Sequence, residues 1–213
     1  LDENRYLLRP HNIDAKYGTG YCLIDMGRCQ AAVINLSGQV YLESQKAQNP
    51  FLAADMLIER AKSDGARLIF VDFHAEATSE KRALGLYLDG RISAVFGTHT
   101  HVQTADAQIL PKGTGYITDV GMCGESGGVI GMDADNVVTR MRTHLPSKFV
   151  AASTNTGFEG SLTKPSISVK NAVNVSSPFE PALTPPLRSL AIASISSMKR
   201  MEGAYLRAVL KSS

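Results

Sequence analysis

Two apolar runs that end in histidine decide the fold of this chain. They are Leu68-Ile-Phe-Val-Asp-Phe-His74 and Ile92-Ser-Ala-Val-Phe-Gly-Thr-His99-Thr-His101. Each run is followed at once by small or polar residues, which is typical of a buried strand that opens into a loop. Because open α/β sheets bind ligands at the carboxyl ends of their strands, we expect the three histidines to lie at one edge of a sheet.

His74, His99 and His101 are candidate metal ligands. A neutral imidazole offers a nitrogen lone pair near pH 7 and is the commonest metal-binding side chain. A lone histidine is more often an ordinary core or surface residue, but three at two strand ends, two of them as His-x-His, predict a metal site. Three imidazoles suit one catalytic zinc with an open position. Two metals would need bridging ligands from elsewhere and would favour phosphate-ester hydrolysis, and the spacing leaves both alternatives open.

Helical and strand patterns alternate around these runs, which predicts an α/β fold rather than an all-β fold. Asn49-Pro50 supplies a helix N-cap followed by proline at the first helical position. The predicted elements are strands at Tyr21–Asp25, Ala31–Leu36, Leu68–His74, Ile92–Gly97 and Tyr116–Val120, and helices from Pro50 to near Gly65, from Thr78 to Tyr87 and from Asp133 to His144.

Composition narrows the class of protein. The 213 residues are 44% hydrophobic and 20% charged, as in an ordinary globular protein, and the net charge is only +2. So weak a field predicts neither stable nucleic-acid binding nor a membrane surface, and no apolar stretch approaches the roughly 20 residues of a membrane helix. Three cysteines without a CxxC pair predict reduced thiols and a cytoplasmic location.

The character of the sequence changes beyond about Leu162. Residues 163–189 are rich in Ser, Pro, Asn and Thr, and a loosely amphipathic helix is expected after them. We therefore expect one domain over residues 1–162 and a poorly ordered tail over residues 163–213. The glycine-rich segment 121–128 lacks the Gly-Lys-Ser/Thr ending of a P-loop, so a nucleoside-triphosphate site is not expected there.

Several segments carry a family resemblance. These segments are Val71-Asp-Phe-His-Ala-Glu-Ala-Thr-Ser-Glu-Lys81, Gly97-Thr-His-Thr-His-Val-Gln-Thr-Ala-Asp106, Ile109-Leu-Pro-Lys-Gly-Thr-Gly115 and Tyr116-Ile-Thr-Asp-Val-Gly-Met122. Together they resemble the YmdB-like metallophosphoesterases of the calcineurin-like phosphoesterase superfamily. The resemblance covers roughly residues 5–162 and is most specific across residues 68–133.

The resemblance implies a metallophosphoesterase-type α/β sandwich with a dinuclear metal centre that hydrolyses cyclic nucleotides. On this basis His74, His99 and His101 are ligands of two divalent transition-metal ions, with iron or manganese preferred to zinc. The implied substrate is a small phosphodiester such as 2′,3′-cyclic or 3′,5′-cyclic AMP. The alternative is a non-catalytic fragment or a partner-dependent metal-binding module.

The family's remaining ligands and its general-acid histidine lie in Gly-Asp, Glu-Asn and Gly-Asn-His segments that come earlier in the family pattern, and neither a Gly-Asp nor a Gly-Asn-His segment occurs in this sequence. We therefore expect an incomplete fold with half of the metal site. His11 and His144 are weak candidates for the missing general acid. An incomplete sheet is also expected to expose Ile69, Val71, Ala94 and Phe96 or their neighbours and to favour association into homo-oligomers.

Overall fold

The computed structural model describes residues 4–122 and 128–152. The predicted tail, residues 163–213, and most of the glycine-rich segment lie outside these residues. The described residues divide into two compact units, of which the first includes residues 4–121 and the second residues 122 and 128–152.

The first unit is an α/β layer. Its elements are strands β1 (Tyr21–Asp25), β2 (Gln30–Ser37), β3 (Ala66–His74), β4 (Ala94–Thr98), β5 (Gln108–Ile109) and β6 (Gly115–Ile117), helices α1 (Pro50–Ser63) and α2 (Thr78–Leu88), and a 3-10 turn at Glu43–Gln45. The α/β class and the predicted helices are confirmed. The last predicted strand is shorter than Tyr116–Val120, and the two-residue β5 was not predicted because so short a strand leaves no periodic pattern.

A single mixed sheet organises these elements in the order β1-β2-β3-β4-β6-β5. Strands β2, β3, β4 and β6 run parallel, and the antiparallel strands β1 and β5 form the two edges. The central strands therefore direct their carboxyl ends to the same edge of the sheet.

Helices α1 and α2 cover one face of the sheet. The Asn49 side chain caps α1 by accepting hydrogen bonds from the N–H groups of Phe51 and Leu52, as the Asn-Pro pair predicts. The main core joins the buried residues of both helices to those of the strands: Ala54, Leu57, Ile58, Ala61, Leu84, Leu88, Ile34, Leu36, Val71, Phe73, Val95 and Tyr116. Burial of this apolar face, more than intrinsic helix propensity, stabilises both helices.

The opposite face of the sheet carries a smaller cluster. Ala31, Phe70 and Ala94 are buried there, with partly buried Val33, Leu68 and Phe96 packed around them. The expectation that Ile69, Val71 and Ala94 are exposed is wrong, and Phe96 is half-buried. Ile69 and Val71 belong to the main core, and Ala94 packs with Ala31 and Phe70 on the other face.

The second unit contributes helix α3 (Ala134–Thr143). Asp133 caps it by accepting a hydrogen bond from the N–H of Asn136, and His144 ends it in a left-handed conformation with φ 57°. The histidine therefore stands at a helix end, as its position before Leu-Pro predicts. Bridges Val129–Met132 and Met132–Ala151 connect the residues before and after α3.

Within residues 4–122 and 128–152, no helix combines the length and the apolar character needed to cross a lipid bilayer. Cys22 and Cys29, which lie in the same range, are both free thiols. The cytoplasmic location inferred from the cysteine pattern stays a prediction.

Two leucines of α1 test the assignment of its buried face. Leu57 is 1% exposed and Leu52 is 69% exposed. Leu57→Ala should lower the free energy of unfolding by about 2–5 kcal/mol, because it leaves a cavity in the core. Leu52→Ala should change it by less than about 0.5 kcal/mol. Urea unfolding followed by circular dichroism measures both, and equal losses would contradict the assigned face.

Candidate metal centre

The register of the parallel strands brings the two histidine runs together. Ser37 of β2 pairs with His74 of β3, and His74 pairs with Thr98 of β4. His74 is therefore the last residue of its strand, and His99 follows directly after the end of the neighbouring strand. Their meeting at the carboxyl edge of the sheet is the arrangement that the sequence predicts.

His74 and His99 are in direct contact. Nδ1 of His99 lies 2.9 Å from Nε2 of His74, and the rings meet edge to face at an interplanar angle of 80°. His101 is exposed, and its proximity is evident only through its electrostatic effect on His74. Among the described residues no set of three or more His, Cys, Asp or Glu side chains is gathered as a ready metal site. The structure thus assembles a histidine pair, and the third ligand stays a prediction.

A hydrogen-bond chain orients His74 from behind. The Thr98 hydroxyl donates to Oδ1 of Asp72 (3.2 Å), and the other carboxylate oxygen of Asp72 accepts from the Asn35 amide (2.8 Å). The same hydroxyl lies 3.2 Å from Nδ1 of His74. Since its single proton is given to Asp72, the hydroxyl accepts from Nδ1–H. This fixes the tautomer of His74 with the lone pair of Nε2 directed at His99.

His74 is suited to stay neutral. Burial lowers its pKa, and the nearby positive charges of His99 and Lys81 lower the pKa further. A neutral ring is the form that donates a lone pair to a metal ion.

The surroundings of His99 have the chemistry of a cation site. Its Nε2 lies 2.6 Å from Oε2 of Glu76, while its Nδ1 faces the lone pair of His74. Two imidazoles and a carboxylate are therefore in contact at this edge of the sheet. Imidazole and carboxylate are the ligands that many transition metals accept. The donor set therefore fits a divalent transition metal, and binding by His99 would exchange one of these contacts for the cation.

The backbone that carries His99 and His101 is strained. We call residues 99–101 the histidine loop. His99 has φ 122° and His101 has φ 67°, a region that L-residues other than glycine rarely occupy. Such conformations persist only where the surrounding structure imposes them, and they concentrate at functional sites.

Asp119 supplies part of that restraint. Its carboxylate accepts hydrogen bonds from the N–H of Thr100 (2.9 Å), in the middle of the histidine loop, and from the N–H of Gly121 (2.8 Å). Lys81 of α2 contacts the same carboxylate at 3.1 Å. Burial acts to raise the pKa of Asp119, but these hydrogen bonds outweigh it and lower the pKa.

Sequence reasoning missed the residues that support the histidines. Asp72 and Glu76 flank His74 within a quoted family segment, but a carboxylate beside a histidine is too common to be a signal. The sequence contains a clearer signal for Lys81. It shares the helical spacing of the buried residues Leu84 and Leu88, and a lysine on the apolar face of a helix indicates a buried charged contact.

A family model described as YmdB-like protein matches residues 1–177. The chain belongs to the YmdB-like family. The matched range extends past Leu162, and the domain boundary placed there from composition stays a prediction.

The chain is also similar to individual proteins. A Bacillus subtilis (strain 168) protein named 2′,3′-cyclic-nucleotide 2′-phosphodiesterase is 47% identical over 176 residues, which is 82% of this chain and 66% of that protein. A Thermus thermophilus structure, titled a hypothetical protein, superposes with a TM-score of 0.62 and 42% identity over 69% of this chain and 57% of its own.

A Mycoplasma pneumoniae structure, titled a novel phosphatase, gives a TM-score of 0.61 at 36% identity, over 71% of this chain and 55% of its own. The metallophosphoesterase-type α/β fold expected from the resemblance is confirmed. The chain spans less than two thirds of the length of each of these three relatives.

The hydroxyl of Thr98 offers a test of the assigned tautomer. Thr98→Val should leave Nδ1 of His74 without its acceptor and mix the two neutral tautomers, whereas Thr98→Ser should retain the wild-type form. The loss should also cost about 1–3 kcal/mol of folding stability. Long-range ¹H–¹⁵N correlation spectra of the imidazoles report the tautomer directly. A wild-type His74 protonated at Nε2 would contradict the assignment.

Proposed function

We propose that this chain carries part of the centre of a metal-dependent phosphodiesterase that hydrolyses cyclic nucleotides such as 2′,3′-cyclic or 3′,5′-cyclic AMP. The observation that carries the proposal is the contact between His74 and His99 at the carboxyl edge of the sheet. The phosphodiesterase name of the Bacillus subtilis relative supports the same reaction class.

In this proposal His74, His99 and His101 hold the metal, which comprises two divalent ions, iron or manganese in preference to zinc. Bound ions of this kind neutralise phosphate oxygens and lower the pKa of a coordinated water. The chain's own contribution is orientation. Thr98 and Asp72 direct the lone pair of His74, and Asp119 holds the backbone between His99 and His101.

The proton donor for the leaving oxygen is not among the predicted ligands. His11, which was one candidate, is held by a backbone hydrogen bond to Asn35, and burial lowers its pKa. An imidazole whose pKa is lowered stays neutral near pH 7 and is a poor acid there. His144, the other candidate, lies at the end of α3 in the second unit.

A second candidate function is a non-catalytic or partner-dependent metal-binding module. It is favoured by the assembly of only two of the three predicted histidines within the described residues. Under this alternative the chain binds a metal ion but does not turn over a phosphodiester by itself. Self-association into homo-oligomers stays a prediction under either candidate.

Metal content tests the ligand assignment. The purified chain should retain bound manganese or iron after gel filtration, while a triple His74→Ala, His99→Ala, His101→Ala variant should fall to background because its donor atoms are gone. His11→Ala is the matched control, since it removes a histidine elsewhere in the first unit. Equal metal content in the triple variant and the wild type, measured by elemental analysis, would refute the assignment.

Turnover separates the two candidate functions. With added Mn²⁺ or Fe²⁺ the phosphodiesterase proposal predicts hydrolysis of 2′,3′-cyclic AMP, 3′,5′-cyclic AMP or an aryl phosphodiester. His99→Ala should reduce the rate by on the order of 100-fold or more, a loss of about 2.7 kcal/mol in transition-state stabilisation. Metal binding without turnover would support the module instead. Product analysis by chromatography measures each reaction.

A further inference from the structure

A buried ion pair between Lys81 and Asp119 lies against the histidine loop and takes no part in the donor set. We propose that this pair is a positioning device that holds the histidine loop in the backbone conformation needed for metal binding. The inference rests on the proposed function for the identity of the ligand. The restraint of the loop itself stands on the contacts alone.

The pair is withdrawn from solvent. Both side chains are 1% exposed, and Nζ of Lys81 lies 3.1 Å from Oδ2 of Asp119. A buried pair of this kind is weak evidence for stability, since apolar residues of similar volume often do as well or better. What an apolar pair cannot supply is an acceptor for backbone N–H groups. The position of the charge therefore indicates a role beyond packing.

The carboxylate oxygens of Asp119 accept hydrogen bonds from the backbone of the histidine loop and of Gly121. Oδ2 accepts from the N–H of Thr100, which stands between the two residues with positive φ, and Oδ1 accepts from the N–H of Gly121. The main chain of Asp119 adds two contacts, because its N–H and its carbonyl both meet Thr104, just after the loop. One residue thus fixes the chain within the histidine loop and after it.

Lys81 in turn makes this arrangement stable. Three donors converge on the Asp119 carboxylate, and the amine of Lys81 is the one that can carry a compensating charge in the interior. The stem of Lys81 passes directly over Gly97 of β4. A Cβ at Gly97 would lie 2.8 Å from Cδ of Lys81 and 1.8 Å from the carbonyl oxygen of Thr118. The strand is therefore shaped to admit the lysine beside the loop.

The test uses the full chain and three variants. Lys81→Met retains the stem and removes the charge. Asp119→Asn retains the volume but presents an NH₂ group to at least one of the three donors. The double variant avoids an uncompensated buried charge, should Lys81→Met fail to fold.

Asp89→Asn is the matched control. Asp89 is also buried and also accepts two backbone N–H groups, from Lys112 and Thr114, but it does so near the start of β6, at the amino-terminal edge of the parallel strands. It should disturb the fold to a similar degree without reaching the histidine loop.

Co²⁺ is the probe, and its visible absorption reports both affinity and coordination. The Lys81 and Asp119 variants should weaken Co²⁺ binding by about 10- to 100-fold, the range for residues that orient metal ligands. The double variant should be no weaker than the worse single variant, because the two side chains act as a unit. Asp89→Asn should retain wild-type affinity and the wild-type spectrum. Wild-type affinity in folded Asp119→Asn, or an equal loss in Asp89→Asn, would overturn the inference.

Amide exchange separates this inference from the proposed function. The N–H of Thr100 should exchange slowly in the wild type and in Asp89→Asn, and faster in Asp119→Asn and the double variant. A wild-type chain that does not bind Co²⁺ would contradict the proposed metal centre, and the exchange of Thr100 would still decide the positioning role. Slow exchange of Thr100 in folded Asp119→Asn would overturn it.

Discussion

The parallel register of β2, β3 and β4 is the constraint on which the rest of the site depends. It places Ser37, His74 and Thr98 in one row across the sheet. Because β3 ends at His74 and β4 ends one residue before His99, two imidazoles meet where the backbone leaves the ladder. A shift of one residue in β3 would turn His74 to the other face of the sheet. The packing of α1 and α2 on one face prevents such a shift.

Beyond the ends of the strands, hydrogen bonds from polar side chains position the histidines. Asp72 directs Thr98 and through it the ring of His74, and Asp119 holds the N–H of Thr100. Both carboxylates accept hydrogen bonds from protein groups. Each therefore restrains the position of its donors, which water molecules would not do. This explains how His99 and His101 keep unfavourable φ values at the edge of the fold. The histidines sit in a framework that restrains the rings and the backbone by separate means.

The histidine pair and the family membership bear on function in different ways. Membership in the YmdB-like family establishes the class of fold, and the phosphatase and phosphodiesterase names belong to its relatives. The pair shows what this chain assembles by itself, which is a contact between the imidazoles of His74 and His99 with the carboxylate of Glu76 beside His99. A complete dinuclear centre needs more anionic ligands than this pair provides, since two dications repel each other unless a shared anion lies between them.

The sequence by itself determined the order of strands and helices around the histidines and the edge at which they lie. Continuous apolar runs followed by polar residues require a strand that ends there, wherever the rest of the chain packs. The segments that resemble the YmdB-like family also predicted the class of fold. The N-cap of α1 and the helix end at His144 were equally local, because each depends on a few neighbouring residues.

Only the tertiary structure decided which residues support the site. Asp72, Glu76 and Asp119 have no distinguishing pattern in the sequence. Their roles come from contacts with residues that are distant along the chain, which are Asn35, His99 and Thr100 respectively. The burial of Ile69 and Val71 also depended on how the helices cover the sheet. Periodicity specifies which face of an element is apolar, but the partner of a buried charge is fixed by where separate elements meet. Lys81 illustrates both points. The sequence predicts that it lies on the apolar face of its helix, but only the structure identifies Asp119 as its partner.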